Sequence, residues 1–222
     1  MRTLAPGSLV VSCQAGPENP IHGPAAMALM AQAAEAGGAG AIRANGPDDI
    51  AAIRAVTDLP IVGLHKLGDP AGVFITPTYE SAAGVVAAGA DLVALDATLR
   101  PRPDGQRLDQ QIARIHDELG VPVMADVDSL DAGLAAQDAG ADFVATTLSG
   151  YTDGRTPTGP DIDLVRQLAA RLACPIVAEG RIRTPDDIRA VCDAGAYAVV
   201  VGTAITNPME ITARLVGALP VR

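Results

Sequence analysis

One pattern recurs four times along the chain: an Ala-Gly pair followed by a short apolar run. The copies begin at intervals of 52, 51 and 55 residues, at Ala36, Ala88, Ala139 and Ala194. A second kind of apolar run precedes each copy, at residues 9–12, 60–64, 122–125 and 175–178. Short apolar runs bounded by turn-forming residues are typical of buried strands, so the repeat predicts four pairs, or eight strands.

The segments between these runs have the features of helices. Residues 24–36 are rich in Ala, Met and Leu, with Pro24 suited to the first turn. Asp48 and Asp49 suit the positive N-terminal end of a second helix, and Ser129 suits the N-cap of another. The glycine of each Ala-Gly pair is expected to take the left-handed conformation just past a helix end.

Short apolar strands that alternate with helices predict parallel β-α-β units. Eight units in 222 residues amount to about 28 residues each, which suits a compact single-domain (β/α)8 TIM barrel over residues 1–222. An open, doubly wound parallel sheet is the alternative, and the regular repeat favours closure.

Composition and charge limit the function classes. The chain is 49% hydrophobic and only 19% charged, which excludes a disordered protein. A net charge of −10 argues against nucleic acid and anionic membranes as partners, although a locally positive pocket can still bind a small anion. The three cysteines show no CxxC spacing, and we find neither a signal peptide nor a run of about 18 apolar residues. We therefore expect a cytoplasmic protein without a metal site.

In such a barrel the chemistry collects at the carboxyl ends of the strands. Nearly every predicted strand delivers a polar group to that rim. In chain order these groups are Ser12-Cys13-Gln14, Arg43-Ala44-Asn45, His65-Lys66, Asp96, Asp126, Thr146-Thr147 with Tyr151 shortly after, Glu179-Gly180-Arg181, and Gly202-Thr203.

Lys66 is the only lysine among 16 cationic residues. A lysine can lose its proton when it is buried or placed beside other cations, and it then acts as a base or a Schiff-base nucleophile, whereas arginine cannot. A site that needs this property would resist replacement by arginine. The alternative is a solvated surface lysine.

Carboxylates lie at three of the same strand ends. Glu179 follows an apolar strand, where partial burial would raise its pKa toward use as a general acid; a structural ion pair with Arg181 or Arg43 is the alternative. Asp126 could orient Lys66, accept hydrogen bonds from substrate hydroxyls or pair with an arginine. For Asp96, close to Arg100 in the chain, a structural ion pair is at least as plausible.

Gly180-Arg181 and Gly202-Thr203 follow the seventh and eighth strands, where barrels of this kind commonly bind phosphate. Ordinary turn glycines are the alternative. A lysine base, a carboxylic acid and a phosphate site together indicate an isomerase or epimerase that works next to a carbonyl group. An aldolase with a Lys66 Schiff base and a barrel that only binds a sugar phosphate remain open.

Motifs along the whole chain make it similar to the N-acetylmannosamine-6-phosphate 2-epimerase family. The segments are VSCQ at 11–14, IRANG at 42–46, GLHK at 63–66, FITPT at 74–78, LDAT at 95–98, RPRP at 100–103, MAD at 124–126, TTLSGYT at 146–152, AEGR at 178–181 and VGTAIT at 201–206. The resemblance implies interconversion of N-acetylmannosamine 6-phosphate and N-acetylglucosamine 6-phosphate in sialic-acid breakdown, without a cofactor or metal. A homodimer is plausible for the family.

The resemblance also implies roles for single residues. Lys66 takes the place of the proton-transferring lysine, and Glu179 that of the catalytic carboxylate. Gln14, Arg43 and Asp126 match residues that hold the sugar and its N-acetyl arm. We add Thr147 and Tyr151 to the substrate-binding set, and Gly180, Arg181, Gly202 and Thr203 to the phosphate-binding set.

Three positions depart from the family pattern. Leu67 stands where Arg commonly follows the lysine, Thr203 stands where Ser is usual, and Asn207 stands where Arg commonly follows Ile205-Thr206. The last change puts the strength of phosphate binding in question. Arg181 and Arg155 are the candidates to compensate.

Overall fold

The computed structural model describes residues 2–152, 154 and 157–220, and in them strands alternate with helices. The strands are β1 (Leu9–Cys13), β2 (Ala41–Asn45), β3 (Ile61–Leu64), β4 (Leu92–Asp96), β5 (Val123–Asp126), β6 (Phe143–Ala145), β7 (Ile176–Glu179) and β8 (Ala198–Val201). The helices are α1 (Pro24–Ala36), α2 (Pro47–Arg54), α3 (Tyr79–Ala87), α4 (Leu108–Arg114), α5 (Leu130–Asp138), α6 (Ile162–Arg171), α7 (Pro185–Asp193), α8 (Thr203–Thr206) and α9 (Pro208–Val216). A π-helical turn, Ile115–Leu119, continues α4.

The strands form one closed barrel in chain order. Each strand is parallel to the next, and β8 closes on β1, where Val10 lies beside Val200. The predicted (β/α)8 barrel is confirmed, and the open sheet is wrong. The carboxyl ends of all eight strands therefore meet at one mouth.

Strand periodicity divides the core into two layers. Successive side chains point to opposite faces of a strand, so every second residue faces the barrel interior. The interior-facing residues form one apolar cluster, which includes Val10, Ala41, Leu64, Ala94, Met124, Ala145, Val177 and Val200. Residues of the other parity, such as Ile42 and Val93, belong to a larger cluster that packs against the surrounding helices.

The helix ends follow the prediction with one exception. Gly89, Gly140 and Gly195 have left-handed φ angles of 110°, 96° and 105°, as expected after a helix. In the first copy Gly37 is right-handed, with φ of −79°, and Gly38 takes the left-handed φ of 92° instead. The prediction for Gly37 is wrong because α1 ends one residue later relative to the motif, and the Gly37-Gly38 doublet places the second glycine where the conformation is needed.

Two aspartates at the start of strands join neighbouring strands at the bottom of the barrel. Asp91 accepts a hydrogen bond from the backbone N–H of Ile61 at 3.0 Å, and Asp142 accepts one from Val123 at 2.7 Å. Asp142 is also 2.8 Å from Nε2 of His116. Both aspartates therefore act in stability, at the end of the barrel opposite to the mouth.

A glycine on the outer face of β3 offers a test of the packing between strand and helices. A Cβ atom on Gly63 would lie 2.5 Å from the Cβ atom of Ala90 and 3.1 Å from Cδ1 of Ile50. We expect Gly63→Ala to lower the free energy of unfolding by about 1–3 kcal/mol through overpacking, measured by urea unfolding.

Gly84, inside α3, is the matched control. A Cβ atom there would meet only Cγ of Pro47, at 3.8 Å. Gly84→Ala should stabilise the protein by about 0.5–1 kcal/mol because alanine has the higher helix propensity. Equal effects of the two substitutions would contradict the packing described for β3.

Candidate functional site

The upper layer of the barrel interior is polar because of strand periodicity. One residue on each strand, or just past its end, follows an apolar interior residue by two positions. These residues are Ser12, Arg43, Lys66, Asp96, Asp126, Thr147, Glu179 and Gly202. Seven polar side chains and one glycine thus lie on a floor of apolar ones.

Arg43 lies at the centre of this layer and is only 1% exposed. Its Nη2 atom is 2.6 Å from Oδ2 of Asp126, and its Nη1 atom is 3.2 Å from Oδ1 of the same carboxylate. Nη1 also lies 3.2 Å from Oε2 of Glu179. Burial alone would lower the pKa of Arg43, but the charges of Asp126 and Glu179 raise it, so the guanidinium stays charged. It therefore ties strands β2, β5 and β7 together.

Thr147 connects the two carboxylates. Its hydroxyl oxygen is 2.7 Å from Oδ1 of Asp126 and 2.9 Å from Oε2 of Glu179. One hydroxyl has one proton to donate, so two ionised carboxylates compete for it. A protonated Glu179 would instead donate to Thr147.

Glu179 is the carboxylate whose surroundings favour protonation. Burial raises its pKa most, and the charge of Asp126 raises it further. Arg43, the hydrogen bond from Thr147 and Lys66 act in the opposite direction without cancelling the shift. Glu179 thus forms the ion pair with Arg43 that the sequence predicted as an alternative. Its raised pKa is also compatible with a role as a general acid.

Lys66 lies beyond the end of β3, on a loop that turns back over the barrel. The backbone of Lys66 forms an antiparallel bridge with Ile75, and its N–H donates to Oδ1 of Asn45 at 2.8 Å. Thr76 anchors the loop below: its hydroxyl donates to the carbonyl of Ala94 at 2.6 Å and accepts from the N–H of His65 at 3.0 Å. Thr76 has a left-handed φ of 46°, which is strained for a β-branched residue.

The amine of Lys66 opens into the cavity described below, but the barrel walls remove part of its hydration. This desolvation lowers the pKa of Lys66, and the nearby charge of Arg43 lowers it further. Glu179 and Asp126 raise it without cancelling the shift. The surroundings therefore increase the fraction of neutral, basic amine.

A cavity of about 590 Å³ opens above this layer. Nearly all the predicted site residues line it: Gln14, Arg43, Lys66, Thr147, Tyr151, Glu179, Gly180, Arg181, Gly202 and Thr203. Asp126 does not line it, since the side chain is fully buried against Arg43. Asp126 thus reaches a ligand only through Arg43 and Thr147.

Arg181 and Asp96 have structural partners. Arg181 donates from Nε to the carbonyl of Gly159 and from Nη1 to that of Ser149, both at 2.8 Å, so the predicted pair between Glu179 and Arg181 does not form. Asp96 is fully buried and binds Arg100 at 2.7 Å, as the structural alternative predicted. Arg155 lies outside the described residues.

Sequence reasoning missed several cavity residues, among them Phe74, Arg183 and Glu210. Arg183 could have been found, because it follows Arg181 by two positions in the same loop. Glu210 belongs to α9, and its position over the mouth has no signal in the strand pattern.

Within the described part of the chain, no group of three or more His, Cys, Asp or Glu residues could hold a metal ion. The described helices include none with the length and apolarity to cross a membrane.

The fold and the mouth define a (β/α)8-barrel protein in which the amine of Lys66 and the carboxyl group of Glu179 share one cavity. The family model described as "Putative N-acetylmannosamine-6-phosphate epimerase" matches residues 27–220. The chain belongs to this family, which places it among the isomerases.

Individual relatives agree with this assignment. A protein of Cutibacterium acnes named as such a 2-epimerase is 53% identical over 209 residues, covering 93% of this chain and 91% of the relative. One from Synechococcus elongatus, with the same name, is 50% identical over 207 residues, covering 90% of this chain and 88% of the relative. The solved structure of the N-acetylmannosamine-6-phosphate 2-epimerase from Clostridium perfringens is 40% identical, with a TM-score of 0.93 over 97% of this chain and 94% of that one.

Because Lys66 is the only lysine, its titration can be followed directly. Protein labelled with carbon-13 at lysine Cε should show one lysine resonance by NMR, with a midpoint below the ordinary 10.5 because of desolvation and Arg43. The charge of Glu179 raises the pKa of Lys66, so Glu179→Gln should lower the midpoint further. Glu118→Gln, on the outer surface, is the control and should leave it unchanged. A midpoint at or above 10.5 in the unsubstituted protein would contradict the described surroundings.

Removal of Arg43 tests the buried ion pair. In Arg43→Met the carboxylate of Asp126, which is 0% exposed, loses its partner. We expect a loss of about 3–5 kcal/mol in the free energy of unfolding at neutral pH, measured by urea unfolding. Adding Asp126→Asn should restore part of it, because no unpaired buried charge then remains at that position.

Arg166→Met is the control for this pair, because Arg166 and Asp163 form an exposed ion pair on α6. It should cost less than about 1 kcal/mol. If the double variant were as unstable as Arg43→Met alone, the unpaired carboxylate of Asp126 would not be the cause of the lost stability.

Proposed function

We propose that the chain inverts C2 of N-acetylmannosamine 6-phosphate to give N-acetylglucosamine 6-phosphate, and catalyses the reverse reaction. Membership of the epimerase family supports the reaction and the substrate. The observation that carries the mechanism is the position of Lys66: an amine with a lowered pKa faces a carboxyl group with a raised pKa across one cavity.

The chemistry requires an acidic carbon. In the open-chain sugar, the C2–H bond lies beside the C1 aldehyde, so loss of the proton leaves an enolate. The neutral amine of Lys66 takes the proton from C2, and the electron pair of the C–H bond moves toward the aldehyde oxygen. Hydrogen-bond donors at the mouth stabilise that oxygen, and return of a proton to the opposite face of C2 inverts the centre.

Two sources can return the proton. Lys66 can serve both faces if the planar intermediate turns, or Glu179 can deliver from the other side as a protonated carboxyl group. The raised pKa of Glu179 supports its use as the acid, since burial favours its neutral form. Arg43 and Thr147 hold the carboxyl group in place.

Gln14 is suited to the N-acetyl arm. Its Nε2 donates to Oγ of Ser12 at 2.9 Å, which orients the amide. Gln14 lines the same cavity, and its Oε1 atom is buried without a hydrogen-bond partner among the described residues. A buried acceptor without a donor is costly, and the N–H of an N-acetyl group would supply one. Gly180, Gly202 and Thr203 would approach the phosphate with their backbone at the ends of β7 and β8.

A deuterium-exchange experiment tests the proposal. In heavy water the protein should convert N-acetylmannosamine 6-phosphate to the epimer with deuterium at C2, observed by proton NMR and mass spectrometry. Lys66→Arg should fold normally by circular dichroism and lose at least about a thousandfold in rate, because arginine does not release its proton at neutral pH.

Epimerisation without incorporation of solvent deuterium, or near-normal turnover by Lys66→Arg, would overturn the role of Lys66. Borohydride treatment in the presence of substrate distinguishes the aldolase alternative. A covalent adduct on Lys66, with cleavage products in place of the epimer, would favour Schiff-base chemistry. Ligand-dependent thermal stabilisation without any reaction would instead indicate a sugar-phosphate-binding barrel.

A further inference from the structure

Five cationic side chains of the described residues line the cavity: Arg43, Lys66, Arg100, Arg181 and Arg183. Backbone N–H groups can hold an anionic substituent at the mouth, and a cation that is free to bind the substituent adds a charged hydrogen bond. Arg43 is enclosed by Asp126 and Glu179, and Lys66 faces those carboxylates as the proposed base. Arg100 binds Asp96 at 2.7 Å and the carbonyl of Ala71 at 2.9 Å. Three of the five are thus already engaged.

Arg181, which was predicted to bind phosphate, is engaged through two of its three guanidinium nitrogens; its Nη2 atom is buried and has no hydrogen-bond partner among the described residues. Its two hydrogen bonds, to Ser149 and Gly159, join both arms of the loop between β6 and α6. Its guanidinium also lies 5.3 Å from the centre of the Tyr151 ring. Its backbone has a left-handed φ of 57°, a strained value for a residue other than glycine. Arg181 therefore stabilises the loop between β6 and α6, which carries Thr147 and Tyr151.

Arg183 is different. Its backbone is fixed, because its N–H donates to Oδ2 of Asp187 at 2.9 Å, next to the capping box at the start of α7. Its side chain is exposed, and its hydrogen bond to the carbonyl of Thr158 is long, at 3.3 Å. No carboxylate of the described residues forms an ion pair with it. A charged group of this kind can turn toward a ligand at little cost.

The neighbouring loop after β8 does not supply a cation. The Nδ2 atom of Asn207 donates to Oε1 of Glu210 at 3.1 Å, while its Oδ1 atom accepts from Nδ2 of Asn19 and from the N–H of Glu210. Glu210 brings a negative charge to the same cavity. A cation that adds to the backbone N–H groups at the ends of β7 and β8 therefore has to come from the β7 side.

We propose that Arg183 is the residue that holds the phosphate of the substrate and so determines the preference for a phosphorylated sugar, while Arg181 is a positioning residue for the loop between β6 and α6. The inference rests on the proposed function in one respect: the anionic group is taken to be the 6-phosphate of the hexosamine. It assigns to Arg183 a contact that Asn207 and Arg181 do not make.

Kinetics with and without the phosphate test the assignment. Wild-type protein, Arg183→Gln and Arg181→Gln are compared on N-acetylmannosamine 6-phosphate and on unphosphorylated N-acetylmannosamine. Arg183→Gln should raise KM for the phosphorylated sugar about 10- to 100-fold, the effect of one lost charged hydrogen bond, and leave kcat/KM for the unphosphorylated sugar unchanged. Arg183→Lys should recover part of the loss.

Arg181→Gln should lower kcat/KM for both sugars by the same factor and leave the preference intact. Arg189→Gln is the matched control, because Arg189 lies on α7, the helix that follows Arg183, pairs with Asp186 and does not line the cavity. Arg189→Gln should have the KM and kcat/KM of the wild-type protein for both sugars. An unchanged KM in Arg183→Gln, or a loss of preference in Arg181→Gln, would overturn the assignment.

A separate binding measurement keeps the two proposals apart. If the wild-type protein turns over neither sugar, the proposed function fails, and calorimetric titration with inorganic phosphate then decides the assignment. Binding to wild type and to Arg189→Gln that weakens about 10- to 100-fold in Arg183→Gln would support an anion site at Arg183. Equal binding by all three proteins, or none, would reject it.

Discussion

The buried guanidinium of Arg43 is the interaction on which the mouth of the barrel depends. Removing two or three charges from water is expensive, and the cost is offset only when their geometry satisfies every partner. Here the fork of Arg43 meets Asp126 on one side and Glu179 on the other, with Thr147 between the two carboxylates. Burial in this layer raises the pKa of Glu179 and lowers that of Lys66, while the charge of Arg43 lowers both pKa values and that of Asp126 raises both. A change of Arg43 therefore alters both the stability of the barrel and the pKa values of Lys66 and Glu179.

Loops, and not strands, position Lys66 and the part of the cavity above the ends of β7 and β8. The loop after β3 turns back so that Lys66 pairs with Ile75, and a strained Thr76 secures it from below. At the ends of β7 and β8, Arg181 braces the loop after β6, and Asn207 joins α9 to the loop after β1. The barrel therefore provides the floor of the cavity, and the loops determine its upper walls.

Much of the fold and of the site was predictable from the chain. Residues 24–36 form α1 as predicted, because the composition and Pro24 both favour a helix there. Lys66 and Glu179 were found because strand ends of a parallel barrel converge on one mouth. The assignment of Arg181 to phosphate was less secure, because sequence places a residue at a strand end but does not say which carbonyls its guanidinium will meet. Asp126 was expected to touch the sugar, yet it lies under Arg43, a difference of depth that strand position alone does not reveal.

By itself, the sequence determined the eight-strand repeat and the polar groups at the strand ends, and it favoured a closed barrel over an open sheet. These follow from periodicity, which is a local property of the chain: a side chain two positions along a strand points the same way. Only the tertiary structure decided which charges pair, which carbonyls the arginines bind and in which direction the pKa values of Lys66 and Glu179 move from their ordinary values. Those outcomes depend on distances between residues far apart in the chain and on how much water the folded walls exclude, and neither quantity is encoded in any one segment.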